Sequence, residues 1–201
     1  MIYFPSVHLG FYHIHKTGGT SFKHGLRSLF PECIELDPFP HHWLPVYYAK
    51  LREMGVEPET AEILTSIRDP LDHVVSIYHY WRQYGNPDDY KVQAAKQFSF
   101  SDFIDEHLRH SPEGQPYIRC LCVDGRIPPN VKILRLESWR ADLQKLNYPW
   151  GPRFQLPRLN VSEHEPAINY WDARSVRLIR NHYSWVYEAG YYPEPALMKA
   201  S

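Results

Sequence analysis

Residues 11 to 21 read Phe-Tyr-His-Ile-His-Lys-Thr-Gly-Gly-Thr-Ser, which sets one lysine, two glycines and three hydroxyls between a short apolar strand and an amphipathic helix. Residue types in that order can cradle a phosphate. Glycines let the backbone approach an anion closely, and a helix amino terminus offers N–H groups with partial positive charge. The lysine and the hydroxyls add charge-assisted donors. A Walker A loop, G-x-x-x-x-G-K-[ST], places its lysine after the glycines, whereas Lys16 precedes Gly18 and Gly19, which argues against a nucleoside-triphosphate loop. A second anion reader follows. Residues 63 to 82, Ile-Leu-Thr-Ser-Ile-Arg-Asp-Pro-Leu-Asp-His-Val-Val-Ser-Ile-Tyr-His-Tyr-Trp-Arg, predict a buried strand, a turn at Asp69-Pro70 and the opening of a helix. Arg68 at the strand end can fork onto a phosphate, and Ser76, two helical turns in, can add its hydroxyl. Two phosphate readers on successive strand ends imply a ligand phosphorylated at two places.

The first segment resembles the 5′-phosphosulfate loop of sulfotransferases that use 3′-phosphoadenosine 5′-phosphosulfate (PAPS), commonly H-I-P-K-T-G-G-T-S. The second is similar to their 3′-phosphate element, R-D-P-x-x-R-x-x-S-x-Y. PAPS carries phosphate at two places and ATP does not. Weaker similarities to Golgi-type and bacterial members run through Gln115–Gly125, Val131–Leu143, Leu156–Ser162 and Val176–Tyr191. The resemblance spans roughly residues 11 to 192, and only the first two motifs are specific enough to argue chemistry. Two departures stand out: His15 occupies the usual proline position of the loop, and His73 a position where a second arginine is common. The first is expected to loosen the loop or add a donor; the second weakens the grip on a 3′-phosphate unless the imidazole is protonated.

The resemblance implies a P-loop-like sulfotransferase fold, and strand–helix alternation along the chain independently predicts an α/β domain with a mostly parallel sheet flanked by helices. Strands are expected near 10–15, 33–36, 61–67 and 131–136. Helices are expected near 20–30, 44–54, 71–84, 101–110, 115–122, 138–146 and 172–187. Ligands of such sheets lie at the carboxyl ends of the strands, where both motifs fall.

A single domain over residues 1–201 is expected, since 43% hydrophobic content suffices for a core and no linker, low-complexity tract or repeat divides the chain. A net charge of −1 argues against a broad nucleic-acid or polyanion surface. No eighteen-residue apolar run is present, and the first ten residues lack a leader's basic and apolar regions, so no membrane span and a cytoplasmic setting are expected. Related Golgi enzymes carry an amino-terminal anchor. Cys33, Cys120 and Cys122 lack C-x-x-C spacing and read as thiols of a reducing compartment.

Sulfuryl transfer needs charge on the leaving phosphate oxygen, a base for the acceptor's proton and an in-line geometry. Lys16 is the candidate for the first. Gly18, Gly19, Thr20 and Ser21 are expected to hold the 5′-phosphate, Thr17 to assist through its amide, and Arg68 with Ser76 to hold the 3′-phosphate. No metal is required, and no metal-ligand spacing such as H-E-x-x-H is present. For the base, His41 and His42 precede Trp43 in a Pro-rich loop where several relatives carry a histidine, with His42 preferred. Solvated loop residues are the alternative there, and His13, inside a strand, reads as a structural histidine beside the loop. Thr20 or Ser21 would serve as an N-cap regardless of ligand. Arg119 and Arg158 are open between ligand contact and ion pairing, and Tyr78, Tyr80, Trp81 and Tyr84 between core and acceptor pocket. The resulting expectation is a PAPS-dependent sulfotransferase, releasing PAP, that acts on a hydroxyl of a small molecule or carbohydrate. The acceptor pocket is expected from loops near 37–48, 85–100 and 111–117. The alternatives are a kinase-like phosphotransferase, for which Asp69 is the nearest Mg²⁺ ligand, and a non-catalytic PAP or PAPS module.

Overall fold

The structure, a computed structural model, describes residues 1–36, 43–111, 114–159 and 164–195. The chain groups into two compact units, one of Met1–Arg68 with Ile118–Asn160 and the other of Asp69–Tyr117 with Val161–Ser201.

The first unit is built on five strands, β1 (Ile2–Phe4), β2 (Leu9–Tyr12), β3 (Ile34–Glu35), β4 (Glu62–Ile67) and β5 (Val131–Arg135), in the order β3-β1-β2-β4-β5. The architecture is α/β, but the sheet is mixed rather than mostly parallel. β2, β4 and β5 run parallel, while β1 is antiparallel to both β2 and β3. The difference comes from the first residues. Ile2-Tyr-Phe4 forms a strand that Pro5 ends in a single 3-10 turn, and His8, at φ 50°, reverses the chain into β2. The His8 ring locks that reversal between the Tyr3 hydroxyl (2.6 Å) and Thr60 Oγ1 (3.0 Å).

Helix α1 (Gly19–Leu29) follows β2. Its Phe22 and Leu26, four apart, are both 1% exposed and join Leu9, Phe11, Leu64 and Leu134 in one apolar cluster, the period-2 face of the sheet meeting the helix stripe. The Phe22 ring stacks on Phe11 (5.6 Å) and on Phe154 (5.9 Å). Burying each such side chain stabilises the unit by about 1.5–3 kcal/mol. Helix α2 (Leu44–Glu53) buries Tyr47 and Tyr48, and Tyr47 OH donates to the Ile2 carbonyl (2.9 Å), tying α2 to β1. Helix α7 (Trp139–Leu146) follows β5; its Asp142 accepts from the Arg135 backbone N–H (2.9 Å) and from the guanidinium (2.6 and 3.0 Å). Burial works to raise the Asp142 carboxyl, but those bonds hold it below its ordinary value.

The second unit is helical. It contains α3 (Pro70–Gln83), α4 (Tyr90–Gln97), α5 (Phe100–His110), α8 (Ala173–His182) and α9 (Ser184–Glu188), with the short α6 (Tyr117–Leu121) at the return to the first unit. Tyr78 of α3 packs on Phe103 (5.0 Å) and Phe100 (5.3 Å) of α5. Asp172 and Ser175 form a reciprocal capping box at the start of α8, and Ser101 donates to Asp172 (2.5 Å). The single helix expected over 172–187 is two helices, broken at Tyr183, whose φ and ψ of −104° and 24° leave the α-region. No helix among the described residues is long and apolar enough to cross a membrane.

Candidate functional site

The loop predicted at the end of the first strand lies between β2 and α1, next to the end of β4, because β2 and β4 pair in parallel with Tyr12 opposite Thr65. Four features shape it. Lys16 takes the left-handed conformation at φ 57°, a position that costs a non-glycine residue about 1–2 kcal/mol and persists only where the surroundings enforce it. Gly18 is left-handed at φ 82° and forms the N-cap of α1, where an added Cβ would run into the Leu136 side chain. Gly19 opens the helix directly over the His13 ring, and a Cβ there would overlap that ring. The first intrahelical bond runs from Phe22 N–H to the Gly18 carbonyl (3.0 Å), so the amides of Gly19, Thr20 and Ser21 lie ahead of it, where helix N–H groups and dipole favour an anion.

The three hydroxyls divide among different tasks. Thr17 Oγ1 donates to the Ile14 carbonyl (2.8 Å) and lies 3.1 Å from Ser66 Oγ on β4, with both side chains fully buried. Ser21, 6% exposed, accepts the Leu159 N–H (3.2 Å). Thr20 alone of the three is exposed. The N-cap expected at Thr20 or Ser21 is instead Gly18, which has no capping side chain; with the chain left-handed there, the backbone turns tightly enough to start the helix without one.

Two cations meet at this end of the sheet. The Lys16 amine is lowered to about 8, first by burial and then by the positive charge of Arg68. Arg68 follows the last residue of β4, and its Nε lies 4.0 Å from a Glu137 carboxylate oxygen in the turn after β5. Lys16, Arg68, Thr17, Gly18, Gly19, Thr20 and Ser21 therefore all belong to the first unit. Ser76 belongs to the second, where it is buried on α3. His73 is buried there too, with its ring against Tyr117 (5.1 Å) and Tyr183 (6.0 Å) and Nδ1 3.4 Å from the Tyr183 hydroxyl. His73 is therefore part of an aromatic cluster.

His41 and His42, the expected bases, lie outside the described residues. His13 is 5% exposed beneath Gly19, in keeping with a packing histidine. Arg119 stacks its guanidinium over Trp43 (5.2 Å), and Arg158 is exposed. Of the aromatic run on α3, Tyr78 is core and Tyr84 is 54% exposed, while the Trp81 ring faces the Lys91 ammonium at 5.0 Å. Cys120 is buried, which pushes its thiol up to about 12, and Cys33, Cys120 and Cys122 are all free thiols. Sequence reasoning missed Ser66, Leu136 and Glu137. A serine at the end of an apolar strand is the only trace in the sequence of the first, and the other two are brought to the loop by the pairing of β4 with β5.

The depressed Lys16 value gives a signed expectation. Below about pH 8 the amine is charged and grips an anion; above it, binding must first restore the proton, and affinity falls by up to tenfold per pH unit. A phosphate ligand is already fully ionised there, its second pKa being about 6. Anion titrations from pH 7 to 9.5 are expected to trace this decline in the wild type and a flat profile in Lys16→Met.

Comparison of the chain with family models, with curated proteins and with solved structures found no match in any of the three.

Proposed function

We propose that the protein is a PAPS-dependent sulfotransferase with a P-loop-like cradle, acting in the cytoplasm on a hydroxyl of a carbohydrate acceptor. The observation that carries this reading is the juxtaposition of Lys16, in the loop after β2, and Arg68, directly after its parallel neighbour β4, around a glycine turn that opens a helix. The arrangement fits a doubly phosphorylated donor. Gly18 and Gly19 let the turn pack tightly against Leu136 and the His13 ring as it opens the helix, and two cations at this end of the sheet suit two phosphates better than one. Lys16 supplies the positive charge that a leaving phosphate oxygen needs as the S–O bond breaks. Arg68, with its planar fork, suits recognition of the 3′-phosphate. Asp69, which a kinase-like reading needs as a Mg²⁺ ligand, instead accepts the Leu71 N–H (2.9 Å) as the cap of α3.

Calorimetric titration with PAP, ATP and adenosine 5′-phosphate tests the reading. PAP is expected to bind at least tenfold more tightly than ATP. Arg68→Ala should remove most of the preference for PAP over adenosine 5′-phosphate, a change of roughly 10- to 100-fold on the scale of a charged hydrogen bond of about 1.5–3 kcal/mol. Equal binding of ATP, or no binding of PAP by folded protein, would overturn it.

A further inference from the structure

We infer that Ser66 is a positioning residue for the anion cradle, acting through Thr17 to hold the backbone of Lys16 and Gly18 in the conformation that receives a phosphate; the inference rests on the sulfotransferase reading for the identity of its ligand. The direction of the hydrogen bonds follows from counting protons. A hydroxyl has one proton to give, and Thr17 gives its own to the Ile14 carbonyl at 2.8 Å. The 3.1 Å contact with Ser66 is then a bond that Ser66 donates and Thr17 accepts. The chain Ser66→Thr17→Ile14 starts on β4 and ends two residues past β2, within the loop that carries Lys16, so it ties that loop to the strand after which Arg68 lies.

Three observations make this a positioning device rather than incidental packing. Ser66 and Thr17 are both 0% exposed, so neither hydroxyl is reached by water or ligand and each needs its protein partner. Ser66 lies on the apolar face of the sheet, two residues after the core residue Leu64 and opposite Leu134, where a β-branched aliphatic residue is the ordinary choice. The residue on one side of Thr17 is held at φ 57° and the residue on the other at φ 82°, so the locked side chain sits between the two left-handed residues of the segment joining β2 to α1. Hydroxyls joined in series strengthen one another in a low-dielectric interior. The Thr17 side chain is thereby withdrawn from the ligand and committed to the geometry of the loop.

The test compares Ser66→Ala, Thr17→Val, Thr17→Ser and the Ser66→Ala/Thr17→Val double variant by PAP calorimetry, with amide hydrogen exchange of Gly18 and Gly19 on the ligand-free proteins. Ser66→Ala is expected to weaken PAP binding about tenfold, the scale of one buried hydrogen bond, and Thr17→Val, which breaks both bonds of the chain, by at least as much. The double variant should lose about as much as Thr17→Val alone, since that substitution already breaks the contact with Ser66. Thr17→Ser, which keeps the hydroxyl, should bind like wild type, and Ser66→Ala should speed exchange at Gly18 and Gly19 while leaving β5 amides protected. A Ser66→Ala protein that melts earlier but binds PAP with unchanged affinity would overturn the inference, as would additive losses in the double variant. If wild type itself does not bind PAP, the sulfotransferase reading fails, and the exchange measurement then decides alone: unchanged protection at Gly18 and Gly19 in Ser66→Ala would dispose of the positioning role.

Discussion

Lys16→Met is expected to weaken PAP binding by roughly a hundredfold and to leave the melting temperature unchanged or slightly raised. The two halves of that expectation have one cause. The amine is held half-buried beside Arg68, and both burial and the neighbouring charge disfavour its charged form in the absence of ligand. A bound phosphate reverses the balance by supplying opposite charge in a partly desolvated place, where a charge-assisted hydrogen bond contributes about 1.5–3 kcal/mol. Removing the amine therefore loses that contribution on binding while relieving repulsion in the free protein. Methionine keeps the length and the apolar stem of the side chain, so a lost affinity is not a lost shape. Calorimetry with PAP and a thermal melt of the same sample check both halves. A variant that melts many degrees lower with affinity intact would mean that Lys16 is a structural cation.

The second large effect is steric. Gly19→Ala is expected to destabilise the protein by about 3 kcal/mol, because the new methyl group would occupy the space of the His13 ring and neither partner has room to retreat. His13 is buried directly after β2, next to Phe11 (ring centroids 6.5 Å), while Gly19 is fixed by the start of α1. A double-mutant cycle checks the cause. His13→Ala costs stability alone through the cavity it leaves, yet in the Gly19→Ala background it should restore part of the loss, giving a coupling of more than about 1 kcal/mol in chemical denaturation. Additive losses would point to the backbone conformation of Gly19 instead of the ring.

The parts of the fold that could be read in the sequence are those with strong local signals. α1, α3 and α5 carry regular apolar spacing, α3 also a start signal at Asp69-Pro70, and their bounds fall within one or two residues of expectation. α4 was not anticipated. Its buried residues are Val92, Ala94 and Ala95 in a polar stretch with little apolar period, and its start is fixed by the Asp89 side chain on the Lys91 N–H. β1 was missed because three apolar residues before a proline are too short to distinguish from a loop; only pairing with β2 and β3 makes them a strand. In the site, Lys16, Gly18, Gly19 and Arg68 were legible from type and spacing, since glycine conformation and strand-end position are local properties. The division of labour among Thr17, Thr20 and Ser21 was not. It depends on Ser66 and Leu159, distant in sequence, which claim two of the three hydroxyls.

The parallel pairing of β4 with β5 has a consequence for how the chain comes to be folded. β4 ends at Ile67 and β5 begins at Val131, so a nascent chain emerging from the ribosome carries the strand of Ile63, Leu64 and Ile67 long before its neighbour exists. During that interval one side of an apolar strand has unanswered N–H and C=O groups, the surface on which chains pair wrongly with one another. Non-local parallel pairing is also slow to form once both strands are present. Yield on overproduction is therefore expected to be governed by synthesis rate and growth temperature, and to respond to chaperones that shield extended segments, more than by the equilibrium stability of the finished protein.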